Sequence, residues 1–473
     1  MTPVSCFKGR HVALFGLGGS GLATARALMA GGANVSAWDD SAASREKARV
    51  AGIDLVDLTT ADWSQFCSLI LAPGAPLTHP APHWSVLRAK ERGLEVIGDI
   101  ELFCRERAGI APDAPLIAIT GTNGKSTTTA LIAHILREAG RDVQMGGNIG
   151  VPILALEPPA RSRAHVIECS SFQIDLAPSL APTVGVLLNL TPDHLDRHGT
   201  MANYAAVKER LAAQSEYAIV GIDDDYCSAI YRALHDADRA VSAISNADAG
   251  LSEMVHFSGT RLRRAIAASP GWEIGETLVN LANARALRGA HNGQNAAAAF
   301  CACEWLDVPH DEIGAAMKTF PGLPHRMEEV GRLGKTIFVN DSKATNADAA
   351  EKALLSFDDM FWIIGGKSKE GGIEPLRPLF SKVRKAYLIG AASDDFARTL
   401  DGALAYEMCG TLDVALARAT RDAQKSGARE PVVLLSPACA SYDQFANFEV
   451  RGDRFRELAQ QIIAQHIGHG SST

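Results

Sequence analysis

No run of five or more Lys or Arg occurs in this chain, and acidic side chains outnumber basic ones by 54 to 46. A net charge of −8 without a basic cluster is not the footprint of a protein that holds nucleic acid or an anionic membrane. Uninterrupted apolar stretches stop well short of the ~18 residues that a membrane helix requires. The opening MTPVSCFKGRHVALFGLGG carries a short apolar stretch, but it runs into glycines and lacks a small-residue cleavage site, so it does not read as an export signal. Cysteine is sparse and odd in number, nine scattered residues, which argues against a disulfide framework and for a reducing, cytoplasmic setting. Only Cys301 and Cys303 are closely spaced; two thiols alone make a poor zinc cage, and they read as buried helix residues. Low-complexity sequence is absent too, and 47% apolar with 21% charged residues describes an ordinary globular chain.

What is present is alternation. At 473 residues the chain is too long for one core, and roughly 150 residues per domain suggests three. Short apolar runs, each followed by a helix-like stretch, recur in three blocks: HVALF, CSLILAP and LEVIGDI; LIAI, HVIE and TVGVLLN; TIFVN, FWIIGG, KAYLIG and PVVLLSP. The fold class read from this is α/β, with three consecutive α/β domains. They are an N-terminal Rossmann-like domain over 1–110, a central P-loop-type mononucleotide-binding domain over 111–322 and a C-terminal Rossmann-like domain over 323–473. APDAP (111–115) reads as the first linker. STTTALIAHILREAG reads as a helix stopped by Gly140, and RFRELAQQII as a charged amphipathic tail.

Two glycine loops carry most of the chemistry. Gly16-Leu-Gly18-Gly-Ser-Gly21 follows HVALF and opens a helix, with Asp39 at the end of the next strand, which fits a dinucleotide-binding fingerprint. Its physics is less specific: glycines bring backbone amides to a diphosphate and an acid meets a ribose or base, so NAD, FAD, a UDP group or an unoccupied turn all fit. The second loop, TGTNGKST (120–127), lies between LIAI and a helix, so that Lys125 and several amides sit where phosphates bind. It is a shortened relative of the Walker loop, because Ile119 stands where that motif has its first glycine. In such loops the lysine neutralises the β- and γ-phosphates and the next hydroxyl, here Ser126, reaches Mg²⁺.

Other polar residues fall at carboxyl ends of strands, the edge where open α/β sheets put their ligands. Glu168 ends HVIE, and His194 follows TVGVLLN within TPDHLDRH; a carboxylate and an imidazole there suit the metal that ATP brings. In the third block NDSK (340–343), GKSK (366–369) and SPACAS (436–441) each follow a strand, and together read as a binding surface in preference to solvated turns.

Taken in order, TGTNGKST, ECSSFQ, LNLTPDHLDRHG, HNGQNAAAA, LPHRME, NDSKATN and SPACASYDQFANF resemble the motif set of the Mur ligases. The first five are shared with folylpolyglutamate synthases; the last two resemble the D-glutamate-adding members, and the DNPR-type motif of the diaminopimelate- or lysine-adding members is absent. The resemblance implies an ATP-dependent amide ligase of peptidoglycan precursor synthesis, acting on UDP-N-acetylmuramoyl-L-alanine and D-glutamate through an acyl phosphate, with ATP and two Mg²⁺ ions. A monomer with small-molecule substrates, no nucleic acid and no membrane insertion is expected, its domains closing around ATP.

Residue by residue, the resemblance assigns Gly121, Thr122, Asn123, Gly124, Lys125, Ser126, Thr127, Asn292, Arg326 and Asp341 to ATP. Ser20, Asp39, Gly74 and Asn148 go to the UDP-sugar, and Thr345, Lys369, Ser441 and Phe448 to D-glutamate. Ser126, Glu168, His194 and Lys208, the last as a carbamate, go to metal; Lys125, Lys208, His194 and Lys343 are the catalytic set. Without the family match Lys208 would read as a solvated helix lysine. The stretch 245–287 matches no motif and is expected to form loops and peripheral strands of the central domain. Two readings compete: another Mur-type or folylpolyglutamate synthase-like ligase, and an NAD-dependent oxidoreductase resting on the first glycine loop, which leaves TGTNGKST unexplained. A non-catalytic nucleotide-binding regulator is a third, but it has no need for the third-block lysines.

Overall fold

The aliphatic runs become strands, and the carboxyl ends of those strands carry the polar loops. The computed structural model describes residues 1–246, 251, 254–265, 275–368 and 371–470. It contains two compact units, Met1–Ala282 with Asn292–Thr319, and Asn283–His291 with Phe320–Thr473.

The first unit holds two sheets. Strands β1 (His11–Phe15), β2 (Asn34–Trp38), β3 (Ser68–Leu71) and β4 (Glu95–Ile97) are all parallel, in the order β2-β1-β3-β4. The second sheet is built from β5 (Leu116–Thr120), β6 (Asp142–Gly147), β7 (Arg163–Glu168), β8 (Val184–Leu187), β9 (Tyr217–Gly221), β10 (Val241–Ser245), β11 (Val255–Ser258), β12 (Arg261–Ala265) and β13 (Gly275–Asn280). Its order is β6-β7-β5-β8-β9-β10-β11-β12-β13, parallel as far as β11, with β12 and β13 added antiparallel. All five residues of β5 are buried, as a strand covered on both faces should be. Within 245–287, the strands β11, β12 and β13 thus form an edge of this sheet, and Arg285–Leu287 forms a short 3-10 turn.

One apolar core serves both sheets: Val4, Leu14, Leu28 and Phe103 belong to the same cluster as Leu116, Leu154, Ile167 and Leu211. The N-terminal arm is fixed to the second sheet's surroundings by Thr2, whose amide and hydroxyl donate to the Leu154 and Leu156 carbonyls at 2.9 and 3.0 Å. Within APDAP, Ala114 is fully buried.

The second unit carries the third sheet. Strand β14 (Glu328–Leu333) runs antiparallel to β15 (Thr336–Asn340), which is followed across the sheet by parallel β19 (Val432–Leu435), β16 (Met360–Gly365), β17 (Val383–Ile389) and β18 (Tyr406–Gly410). Side chains alternate between its faces with period two: Ile337, Val339, Trp362 and Ile364 pack on one side, Phe338, Phe361, Ile363 and Val433 on the other.

Because Leu154 lies in the core common to the first two sheets, Leu154→Ala should destabilise the first unit by about 2–5 kcal/mol, read by urea unfolding. A loss below about 1 kcal/mol would show that this position does not join the sheets.

Candidate active site

Strand β5 lies inside the second sheet, and the turn after it is tightly constrained. Gly121 and Gly124 have φ of +146° and +85°, a region that side chains avoid. A Cβ at Gly124 would also collide with Asn295 Oδ1, and one at Gly121 would touch Leu188 Cβ at 3.0 Å. The helix Lys125–Glu138 begins immediately after, so its unpaired amides and the positive end of its dipole face the loop. Its far end is closed as the sequence predicts: Gly140 takes φ +73° and the Arg141 amide returns to the Leu136 carbonyl at 2.9 Å.

Around this loop the predicted residues form two small groups. In the first, Ser126 Oγ donates to Glu168 Oε2 at 2.7 Å, and Asn148 Nδ2 donates to Glu168 Oε1, also at 2.7 Å. Asn148, assigned in the sequence to the UDP-sugar, therefore also orients the carboxylate assigned to metal. In the second, Lys125 Nζ donates to the carbonyls of Gly121 and Thr122 at 2.9 and 2.8 Å. Lys208 Nζ, fully buried on the helix Met201–Ala213, donates to that same Gly121 carbonyl at 2.6 Å and to Thr120 Oγ1 at 3.1 Å. Burial, reinforced by the neighbouring Lys125 charge, holds the Lys208 ammonium well below its ordinary pKa.

His194 stands at φ +52° ahead of the short helix Leu195–His198, half exposed, with Nε2 3.5 Å from Asp193. Its ring lies 4.9 Å from that of Phe172 in the ECSSFQ segment. At the other end of that helix His198 is buried, bonded to Ser171 Oγ at 2.9 Å, and pushed down to about 4 by burial and the His194 charge. Among the described residues no group of three or more His, Cys, Asp or Glu is poised to hold a metal. Ser126 and Glu168 meet directly at the phosphate loop, whereas His194 rests against Phe172 and Asp193.

Behind the loop lies a polar network in which Asn189, Gln294 and Asn295 of the quoted motifs join residues outside them, among them Asp223, Thr128 and Tyr204. Asn189 Oδ1 accepts from the Asn123 amide at 2.8 Å, Asn189 Nδ2 donates to Gln294 at 3.2 Å, and Gln294 Nε2 donates to Asp223 at 2.9 Å. Asn295 accepts from Thr128 Oγ1 at 3.2 Å and donates to Asn292 Oδ1 at 3.1 Å, which places the predicted Asn292 in the support of the loop. Thr122 Oγ1 pairs with Tyr204 OH at 3.1 Å, and Thr127 is half-buried on the first helical turn.

The first glycine turn is separate from these groups. Gly16 takes φ +97° against Ala72, and Gly21 leaves room for the Gly16 carbonyl, so both glycines have steric causes. Asp39 accepts from the amides of Leu17 and Ser41 at 2.7 Å each, fixing the turn with the same carboxylate that the sequence offers to a ligand. Ser20 is half-buried on the first turn of the helix Gly19–Ala30. Gly74 lies in the loop after β3, exposed.

In the second unit, Lys343 Nζ sits 4.0 Å above the ring of Phe448, joining two residues assigned to the amino-acid end of the reaction. Asp341 accepts from Ser436 Oγ at 2.8 Å and from the Met327 amide at 3.2 Å; burial raises it to about 7. Arg326 is exposed and lowers Asp341 through its charge, while Thr345 is half-buried in the turn after β15 and Ser441 is buried. Lys369 lies outside the described residues. Arg451 was not singled out, yet it is fully buried and donates to Ser342 Oγ, the Ser342 carbonyl and the Cys439 carbonyl at 2.9, 2.8 and 3.1 Å.

Comparison with known proteins gives this geometry a context. The Mur ligase middle domain matches residues 119–303. A UDP-N-acetylmuramoylalanine--D-glutamate ligase of Nitrobacter winogradskyi is 58% identical over 98% of this chain and 98% of its own. The enzyme of the same name from Agrobacterium fabrum is 58% identical over 99% and 100%. Among solved structures, the UDP-N-acetylmuramate-alanine ligase of Thermotoga maritima superposes with a TM-score of 0.55 at 17% identity, over 95% of this chain and 99% of that one. A MurF ligase from Thermotoga maritima in complex with ADP gives 0.52 at 16% identity, over 85% and 90%.

The raised Asp341 pKa predicts a pH dependence. A carboxyl held at about 7 in the folded state and near 3.8 when unfolded keeps its proton longer when folded, so its contribution to stability is complete below about 4 and is lost as pH rises to 7. Urea unfolding of wild type and Asp341→Asn across that range should show wild type losing stability relative to the variant as pH rises. Parallel curves would contradict the assignment.

Proposed function

The chain belongs to the Mur ligases, and from that premise we propose how its residues join D-glutamate to UDP-N-acetylmuramoyl-L-alanine. It is an ATP-dependent ligase of peptidoglycan precursor synthesis; the observation that carries the substrate assignment is identity of 56–59% with D-glutamate ligases over nearly the whole chain.

A carboxylate is a poor electrophile, so one of its oxygens first attacks the γ-phosphorus of ATP, and ADP leaves. The amine of D-glutamate then attacks the acyl phosphate carbon, phosphate leaves, and the proton that the amine gives up ends on that phosphate. Both steps concentrate negative charge, which demands fixed cations and amides. Residues 121–127 cradle the phosphates, Lys125 exchanges its two loop carbonyls for phosphate oxygens, and Asn292 supports the loop through Asn295. Arg326 and Asp341 are assigned to the nucleotide by the family resemblance.

Bound Mg²⁺, two ions in this reading, would neutralise phosphate charge. Ser126, Glu168, His194 and a carbamylated Lys208 are the residues to hold them, and the Ser126–Glu168 pair beside a helix N-terminus is an oxygen-rich fit for that ion. Only a neutral amine reacts with carbon dioxide, and burial with Lys125 as neighbour favours that form of Lys208. Asn148 holds Glu168 in place. We assign residues 1–110 with Ser20, Asp39 and Gly74 to the UDP-sugar, 111–322 to ATP, and 323–473 with Lys343, Thr345, Lys369, Ser441 and Phe448 to D-glutamate. The reading makes the enzyme a cytoplasmic monomer; no helix among the described residues is long and apolar enough to cross a membrane.

The test is ADP release by the purified protein with Mg·ATP and UDP-N-acetylmuramoyl-L-alanine, in separate reactions with D-glutamate, L-glutamate, lysine or meso-diaminopimelate. Release with D-glutamate alone supports the reading, and release with a different amino acid instead overturns the use made of the third-block motifs. In the same assay Lys208→Ala should lose turnover by about a hundredfold or more while still binding ATP, and excess bicarbonate should not restore it. Unchanged turnover in that variant removes the carbamate from the mechanism.

A further inference from the structure

One cation in the first unit has no part in the reaction as described. Arg197, on the short helix Leu195–His198, reaches across to the loop after β3 and donates to three successive carbonyls: Pro73 at 3.3 Å, Gly74 at 3.1 Å and Ala75 at 3.0 Å. Its guanidinium also lies 4.3 Å from the centre of the Phe172 ring. That ring is shared, for His194 is 4.9 Å from it and His198 stacks on it at 5.5 Å with 15° between the planes. Close by, Gly199 takes φ +78°, and a Cβ there would sit 2.9 Å from the His79 ring, so a side chain is excluded at this point.

We propose that Arg197 is a positioning residue that locks the 72–75 loop to the short helix that follows His194, so that seating the nucleotide sugar sets the metal-side histidine. The inference rests on the assignment of Gly74 to the UDP-sugar. Three carbonyls turned toward an approaching diphosphate would repel it; a planar fork of donors gathers all three on its own side, which a lysine's point charge cannot do. The same guanidinium, through Phe172, fixes the face against which the His194 imidazole rests. First-sheet loop and second-sheet histidine are thereby held by one side chain three residues from the histidine.

The experiment compares wild type, Arg197→Lys and Arg197→Gln by steady-state kinetics, varying UDP-N-acetylmuramoyl-L-alanine and ATP separately, with thermal unfolding of each protein. Both variants should raise KM for the nucleotide sugar by about ten- to a hundredfold, the loss that removing charge-assisted hydrogen bonds produces, and lower kcat. KM for ATP and the unfolding midpoint should stay at wild-type values. Wild-type kinetics in Arg197→Lys, or equal rises in both KM values with a lowered midpoint, overturn the proposal. Should wild type itself show no dependence on the nucleotide sugar, the substrate reading fails first and takes this inference with it.

Discussion

Two lysines meet on one carbonyl oxygen. Lys125 and Lys208 both donate to Gly121, at 2.9 and 2.6 Å, and the residue that bears that carbonyl is the first glycine of the phosphate loop. Two ammonium ions at such separation repel, and the buried one has no water to spread its charge. Both effects push Lys208 toward loss of its proton, and a neutral amine is the form that can accept carbon dioxide. The position of the loop, the state of Lys208 and the availability of Lys125 for phosphate are therefore one electrostatic problem, solved at the carboxyl end of β5.

The rest of the first unit serves that point. Asn295 packs under Gly124, Asn189 and Gln294 tie the loop to Asp223, and Tyr204 closes it through Thr122. Glu168 is held on both oxygens, by Ser126 and Asn148, which fixes the orientation of the carboxylate. The core common to the first two sheets fixes where the first glycine turn stands with respect to the phosphate loop. In the second unit, the Lys343–Phe448 contact and buried Asp341 are fixed by the third sheet and by Arg451 beneath its loops.

Short-range signals made much of this legible in the sequence. A phosphate loop is a strand, a few glycines, a lysine and a helix in unbroken order, and each part announces itself by composition; the same holds for Glu168 at the end of β7, whereas His194 lies beyond β8, ahead of the helix Leu195–His198. What stayed hidden is long-range. Asn148 reaches Glu168 across 20 residues, Gln294 reaches Asp223 across 71, and Arg197 reaches Gly74 across 123. Spacing carries no trace of such pairs. Lys208 looks like any lysine on a helix surface, and only the packing of that helix on β8 and β5 buries it. APDAP has the composition of a linker and does connect the helix Asp99–Ile110 to β5, with Ala114 fully buried. YEMCG, the half-exposed β18, lacks the apolar run by which the central strands were found.

The claim on which all this turns is that burial beside Lys125 lowers the Lys208 pKa. Titration of its side-chain 13Cε resonance in lysine-labelled protein, assigned with Lys208→Arg and recorded in buffer stripped of carbon dioxide, measures it directly. The account predicts a midpoint well below the ordinary lysine value of 10.5. A midpoint at that ordinary value would mean that both cations share the Gly121 carbonyl at neutral pH, and would contradict it.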